Sequence, residues 1–244
     1  MRLGPAILLA SALLPRAAGA DPFPTRSGES GILDVPDAET AGRGGGLMAG
    51  ELRVDHLAGG PTDVGPLPLS FVYGLGSGLD VGLSLREWGR AGDPIPSPLL
   101  FGAALKLQIL KPDGLVPGLA VEGLGDRLNW KASGGLRLAT STGKVGRVRL
   151  AAHAGAALSG PGLASAAFDG GLAASVDLGN GLDGVLEGLA GPGGPTAGAA
   201  LRWSITSTVG TYAAATWIPD ESGVRFSLGF ALRADPPARR GRPP

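Results

Sequence analysis

From residue 47 to residue 233 the chain repeats one pattern, with apolar side chains at every second position and polar or small ones between them. Two stretches show it most regularly. In 79–86, Leu79, Val81, Leu83 and Leu85 fall on one side, and Asp80, Gly82, Ser84 and Arg86 on the other. In 223–233, Val224, Phe226, Leu228, Phe230 and Leu232 oppose Arg225, Ser227, Gly229 and Arg233. A period of two puts successive side chains on opposite faces of a sheet. Each stretch is therefore a strand with one aliphatic face and one charged or small face.

The same reading applies between these two. Leu52 and Val54 oppose Glu51, Arg53 and Asp55; Leu67, Leu69, Phe71 and Tyr73 share a face; Leu105, Leu107 and Ile109 oppose Lys106 and Gln108. Strands follow at 118–122, 130–141, 145–157, 167–178, 182–189, 196–205 and 206–217. Val185 breaks the alternation in 182–189. The count is about twelve strands, each near the length that crosses a bilayer at barrel tilt, and the number is even. No stretch carries a helical period, which excludes βαβ folds.

The connections alternate too. Those at 74–78, 141–144, 179–181 and near Thr206 are short, whereas 58–66, 88–98, 158–163 and 218–222 are longer. Short turns at one end and longer loops at the other mark a membrane barrel. The connection at 111–114 belongs to the short end but is not especially short. The fold class these features predict is all-β, an antiparallel up-and-down transmembrane β-barrel. A secreted β-sandwich, with its aliphatic rows buried between two sheets, is the soluble alternative.

Composition narrows the choice. The hydrophobic fraction of 43% argues against disorder, despite Gly 44 and Pro 21. A net charge of +0 gives no electrostatic case for nucleic acid as a partner. With Cys 0 there are no disulfides, thiolate metal sites or lipidated cysteine. Residues 1–20 read as a signal peptide: Arg2, the apolar run 6–14, and Ala18-Gly19-Ala20 as the cleavage signal. No later segment approaches the roughly eighteen apolar residues of a membrane helix, so membrane entry requires a closed barrel. Residues 21–46 read as a lead-in with one apolar island at 31–36, 47–233 as the barrel, and 234–244 as a disordered basic tail. Aromatics are only 5%, so interfacial girdles would be thin.

Three local patterns resemble bacterial outer-membrane barrels of the YjbH-like group. They are 30–38, Ser-Gly-Ile-Leu-Asp-Val-Pro-Asp-Ala; the hairpin 73–82; and the run 104–123 followed by the Trp130 strand. Together they span about residues 30 to 140. The resemblance implies an outer-membrane location, an association with exopolysaccharide production, and polysaccharide or other envelope proteins as partners beside outer-membrane lipid.

Candidate chemistry is sparse. The Gly-rich runs 42–46 and 191–194 lack the following helix and the Gly-Lys-Ser/Thr of a phosphate loop. His56 and His153 sit in no catalytic motif, although Ser133 or Asp169 lies within cross-strand reach of His153 if the faces align. We expect no catalytic residues, no metal site and no cofactor. The residues singled out are the charges opposite the aliphatic stripe: Glu51, Arg53, Asp55, Arg86, Lys106, Glu122, Lys131, Arg137, Arg147, Arg149, Asp169, Arg202 and Arg225. As lumen-lining groups they either pair and close the barrel or line an aqueous path. A twelve-strand barrel lies between side-chain-filled and open sizes, which favours pairing. The expected function is a non-enzymatic envelope barrel assisting exopolysaccharide production; the alternatives are a small passive channel and, behind it, a lipid-modifying barrel enzyme.

Overall fold

A computed structural model describes residues 23–24, 30–32, 34–57, 62–65, 68–76, 78–85, 101–128, 131–159, 165–191, 194–219 and 223–234. The assigned signal peptide, Arg86, the 88–98 loop and the tail beyond Ala234 lie outside these residues.

Strand alternation sorts the side chains, and closure then needs only that the first strand meet the last. Three short strands come first: β1 (Phe23–Pro24), β2 (Ser30–Ile32) and β3 (Val35–Pro36), forming their own antiparallel sheet. Then follow β4 (Gly46–Leu57), β5 (Thr62–Gly65), β6 (Leu69–Gly76), β7 (Leu79–Leu85), β8 (Phe101–Leu110), β9 (Gly118–Leu128), β10 (Lys131–Ser141), β11 (Val148–Ser159), β12 (Ser165–Gly179), β13 (Leu182–Gly191), β14 (Gly194–Ser204), β15 (Val209–Ile218) and β16 (Gly223–Ala234). Consecutive strands pair antiparallel from β6 to β16. β16 pairs with β4 along its whole length, from Gly223 opposite Leu57 to Ala234 opposite Gly46. β5 pairs with the second half of β4 and β6 with the first. The result is a closed antiparallel barrel of twelve strands, with no α-helix among the described residues. Closure leaves no open edge to be satisfied in lipid.

The aliphatic half of each period faces out. Leu172 is 69% exposed, Leu186 66% and Leu228 62%, with Leu83, Leu105, Leu136, Phe168, Trp217 and Phe226 in the same condition. A belt this continuous would not be stable against water. The alternate positions are buried, as the strict alternation through Phe101–Gln108 shows. The aliphatic rows are not buried between two sheets, so the sandwich is excluded.

Turn chemistry fixes several hairpins. Asn180 and Gly181 join β12 to β13 with φ of 54° and 76°, the left-handed pair that a two-residue type I′ turn requires. The connection at 111–114, not especially short in sequence, is pinched by mutual hydrogen bonds between Asp113 and Val116, with Gly114 at φ 54°. At the other rim the strands run further than the alternation suggested. β9 continues to Leu128 rather than ending at Glu122, and β13 to Gly191. The separation into short and long ends is accordingly less complete than the sequence implied.

Candidate functional site

The inner wall carries opposite charges in cross-strand register. Asp80 on β7 faces Lys106 on β8, Lys106 faces Glu122 on β9, and Glu122 faces Arg137 on β10. The next position is Gly155 on β11, and beyond it Asp169 on β12. Arg137 reaches across the glycine to hydrogen-bond and ion-pair with Asp169. A Cβ at Gly155 would lie 2.1 Å from the Leu136 carbonyl and 3.0 Å from the Arg137 side chain, so that passage needs the missing side chain. Five strands thus carry a row alternating in sign, and directly opposed unlike charges stabilise a sheet.

A second row follows the same rule. Glu51 on β4 lies opposite Gly229 on β16, and Gly229 opposite Tyr212 on β15. The Tyr212 hydroxyl donates to Glu51 Oε2 at 2.8 Å across that glycine, and Arg53 Nη2 lies 3.3 Å from Glu51 Oε1. Further along, Arg202 faces Tyr212 and Asp183, with Nη2 3.7 Å from Asp183 Oδ2.

The lead-in occupies the lumen between these walls. β1 lies against β4 and β6, while β2 and β3 lie against β12, and β3 also against β11. Val35, Pro36, Asp37 and Ala38 are fully buried. Val35 packs among Ala151, Ala173, Val185, Ala200, Tyr212 and Ala214, and Ala38 against Ala120 and Ala139. The lumen therefore holds a small apolar core of its own, and this explains Val185. It is an inward aliphatic residue facing the lead-in, so the broken alternation in β13 marks a contact.

Four hydrogen bonds tie the lead-in backbone to wall side chains. Asp34 N–H donates to Glu187 Oε2 at 3.0 Å, Ala38 N–H to Ser141 Oγ at 3.0 Å, and Ala41 N–H to Asp80 Oδ2 at 2.8 Å. The Ala38 carbonyl accepts from Gln108 Nε2 at 2.5 Å. At its exit the segment crosses the end of β6 closely: Gly44 N–H donates to the Gly74 carbonyl at 2.8 Å, and a Cβ at Gly74 would lie 1.7 Å from the Gly42 oxygen. The 42–46 glycines serve this crossing.

Asp37 is the charged centre of the contact. Its Oδ1 lies 3.2 Å from Lys106 Nζ and its Oδ2 2.6 Å from Arg149 Nη2. Lys106 also meets Glu122 Oε1 at 3.4 Å, and Arg149 meets Glu39 Oε2 at 2.9 Å. Burial alone would raise the Asp37 pKa, but Lys106 and Arg149 outweigh it and hold the carboxyl below the ordinary aspartate range. Glu39 is displaced the other way: burial raises it, and Arg149 offsets this only in part because Asp37 adds repulsion.

Among the residues singled out from sequence, Glu51, Lys106, Glu122, Arg149 and Arg202 are buried, and Arg53, Arg137, Asp169 and Arg225 are half-buried on the same inner rows. Asp55 and Lys131 lie in β4 and β10 with side chains outside the described set, as does Arg86 entirely. Arg147 is a correction. It is exposed in the turn Val145–Val148, where Gly146 at φ 61° and hydrogen bonds between the two valines use up residues that the alternation had assigned to a strand. Sequence reasoning passed over Asp37, Glu39, Gln108, Ser141, Glu187 and Tyr212. For Gln108, the polar position beside Lys106 was the available signal; for the lead-in residues there is no period to read.

His153 is buried with Nε2 3.6 Å from Asp169 Oδ1, and neither ring nitrogen has a hydrogen-bond partner among the described residues. Its neighbour opposite on β10 is Ala139, and the side chain of Ser133 lies outside the described set. No group of three potential metal ligands gathers among the described residues.

No family model and no curated protein matches the chain. Solved structures do. The NanC porin is similar with a TM-score of 0.59 at 8% identity, covering 75% of this chain and 98% of its own. The KdgM porin gives 0.58 at 7% identity, with 75% and 98% covered. An outer membrane channel from Pseudomonas putida F1 gives 0.54 at 12% identity, with 83% and 100% covered. At such identities the likeness is one of fold: an outer-membrane-type β-barrel.

Proposed function

We propose that this protein is an outer-membrane channel for passive diffusion of small hydrophilic solutes. The observation that carries the reading is the inversion of the barrel: a continuous aliphatic belt outside, and rows of charge in register on the inner wall. Such a cylinder fits hydrocarbon around it and an aqueous path within it. The similar folds of two porins and an outer membrane channel support the same reading. A signal peptide at 1–20 and lipid as the surrounding partner belong to this proposal. The exopolysaccharide role implied by the YjbH-like resemblance gains nothing from these comparisons, and the channel takes its place.

The test is current through planar bilayers. The refolded full chain is expected to produce discrete steps in potassium chloride. A barrel that inserts but stays silent at every voltage, as wild type and with its lumen carboxylates substituted, would remove the channel reading.

A further inference from the structure

The channel as described is occupied by its own lead-in, and the manner of that occupation has a chemistry. Among the described residues β3 pairs only with β2, and no backbone ladder joins the segment to the wall at Asp37. Around Asp37 the described contacts are single hydrogen bonds, the packing of Val35 and Ala38, the Glu39–Arg149 ion pair, and the Asp37 carboxylate. That carboxylate bridges two cations from different strands, one oxygen to Lys106 on β8 and the other to Arg149 on β11. Both cations are almost fully buried, at 1% and 3% side-chain exposure. Charge-assisted contacts of this kind are the strong ones, and losing their anion leaves buried charge undercompensated. Lys106 and Arg149 are wall residues held by the barrel, so they remain when the lead-in leaves. The wall nearby already holds Glu122 and Asp80. A dianion would meet more repulsion there than a monocarboxylate, which matches the group already in place.

We propose that Lys106 and Arg149 form a carboxylate-binding site in the channel wall, that Asp37 is its tethered occupant, and that a soluble monocarboxylate opens the channel by displacing it. The inference rests on the channel reading. It assigns the barrel a ligand class and the lead-in a role as a competitive plug. The tether favours Asp37 through its high effective concentration, so the free anion acts only when abundant.

Planar-bilayer recording of the full-length chain tests it, with acetate replacing chloride at constant ionic strength and neutral pH. Wild type is expected to dwell mainly in a closed state, with open probability rising as acetate rises and unmoved by sulfate. Asp37→Ala is expected to lose the long closed state and its response to acetate. The acetate titration of wild type stands by itself should the variant fail to fold. Openings that ignore both acetate and the Asp37→Ala change would overturn the carboxylate site and leave the channel standing. Silence of wild type and variant in every salt would remove the channel and this inference together.

Discussion

Glycine on the inner wall works by absence. Four long inward side chains lie over a glycine on the neighbouring strand: Tyr212 over Gly229, Arg137 over Gly155, His153 over Gly171, and Glu187 over Gly198. A Cβ at Gly229 would stand 2.2 Å from the Tyr212 ring, with the ring rather than a flexible chain end to be moved. Gly229→Ala should therefore displace the ring, break its 2.8 Å bond to Glu51, and cost about 1–3 kcal/mol, the usual range for overpacking. Gly125, with nothing within 4 Å of its would-be Cβ, serves as the comparison and should tolerate alanine. Urea unfolding from lipid vesicles, with the two variants side by side, measures the difference; equal stability would show that the tyrosine has room to spare. Which face each residue takes was legible at this scale, because period two decides it. Which residue it meets was not, because pairing depends on register, and register depends on turns the alternation does not specify.

Each strand is specified mostly by its outer face. Leu172 at 69% exposure is among the most exposed apolar residues of the described barrel. If that face meets hydrocarbon, Leu172→Arg should cost about 2–4 kcal/mol near the bilayer midplane. A shift of the refolding midpoint in lipid vesicles reads this, and a neutral result would place β12 out of the membrane. The strands themselves were largely readable, including the regular β7 and β16 and the Asn180–Gly181 hairpin. The errors have local causes. Arg147 was taken into a strand because a tight turn at Val145–Val148 interrupts no alternation. The ends of β9 and β13 were placed early because Gly123, Gly125, Gly188 and Gly191 weaken the period without ending the ladder. Val185 was read as a defect because alternation assumes a wet lumen, whereas here it packs against Val35.

At the scale of the whole molecule, what the sequence could not reveal is that the barrel has contents. The lead-in is too short for a period, and its place depends on contacts 69 and 112 residues away along the chain. Its retention should be tunable in two ways. With no native cysteine, Ala38→Cys with Ser141→Cys puts two thiols where a 3.0 Å hydrogen bond now joins the positions. The oxidised form should stay closed in acetate and open after reduction; current unchanged by reduction would mean that the segment need not move. Acid is the second way, and its sign follows from two opposed carboxyls. Asp37, held below the ordinary aspartate range, contributes anchoring that is complete above that range and lost as pH falls through its depressed value. Glu39, held above the ordinary glutamate value, contributes anchoring that is complete below that value and lost as pH rises through its raised one. The groups facing them are Lys106, Arg149, Glu122, Asp80 and Lys111. The two lead-in carboxyls, displaced in opposite directions, set the sign of the response. Acidification from neutrality should first tighten the plug as Glu39 takes up its proton, then release it as Asp37 does. Open probability against pH should pass through a minimum between the titrations of the two groups, and Glu39→Gln should flatten the limb above it alone. A steady rise from neutrality downward would mean that Glu39 bears no uncompensated charge, and that Arg149 serves it as fully as it serves Asp37.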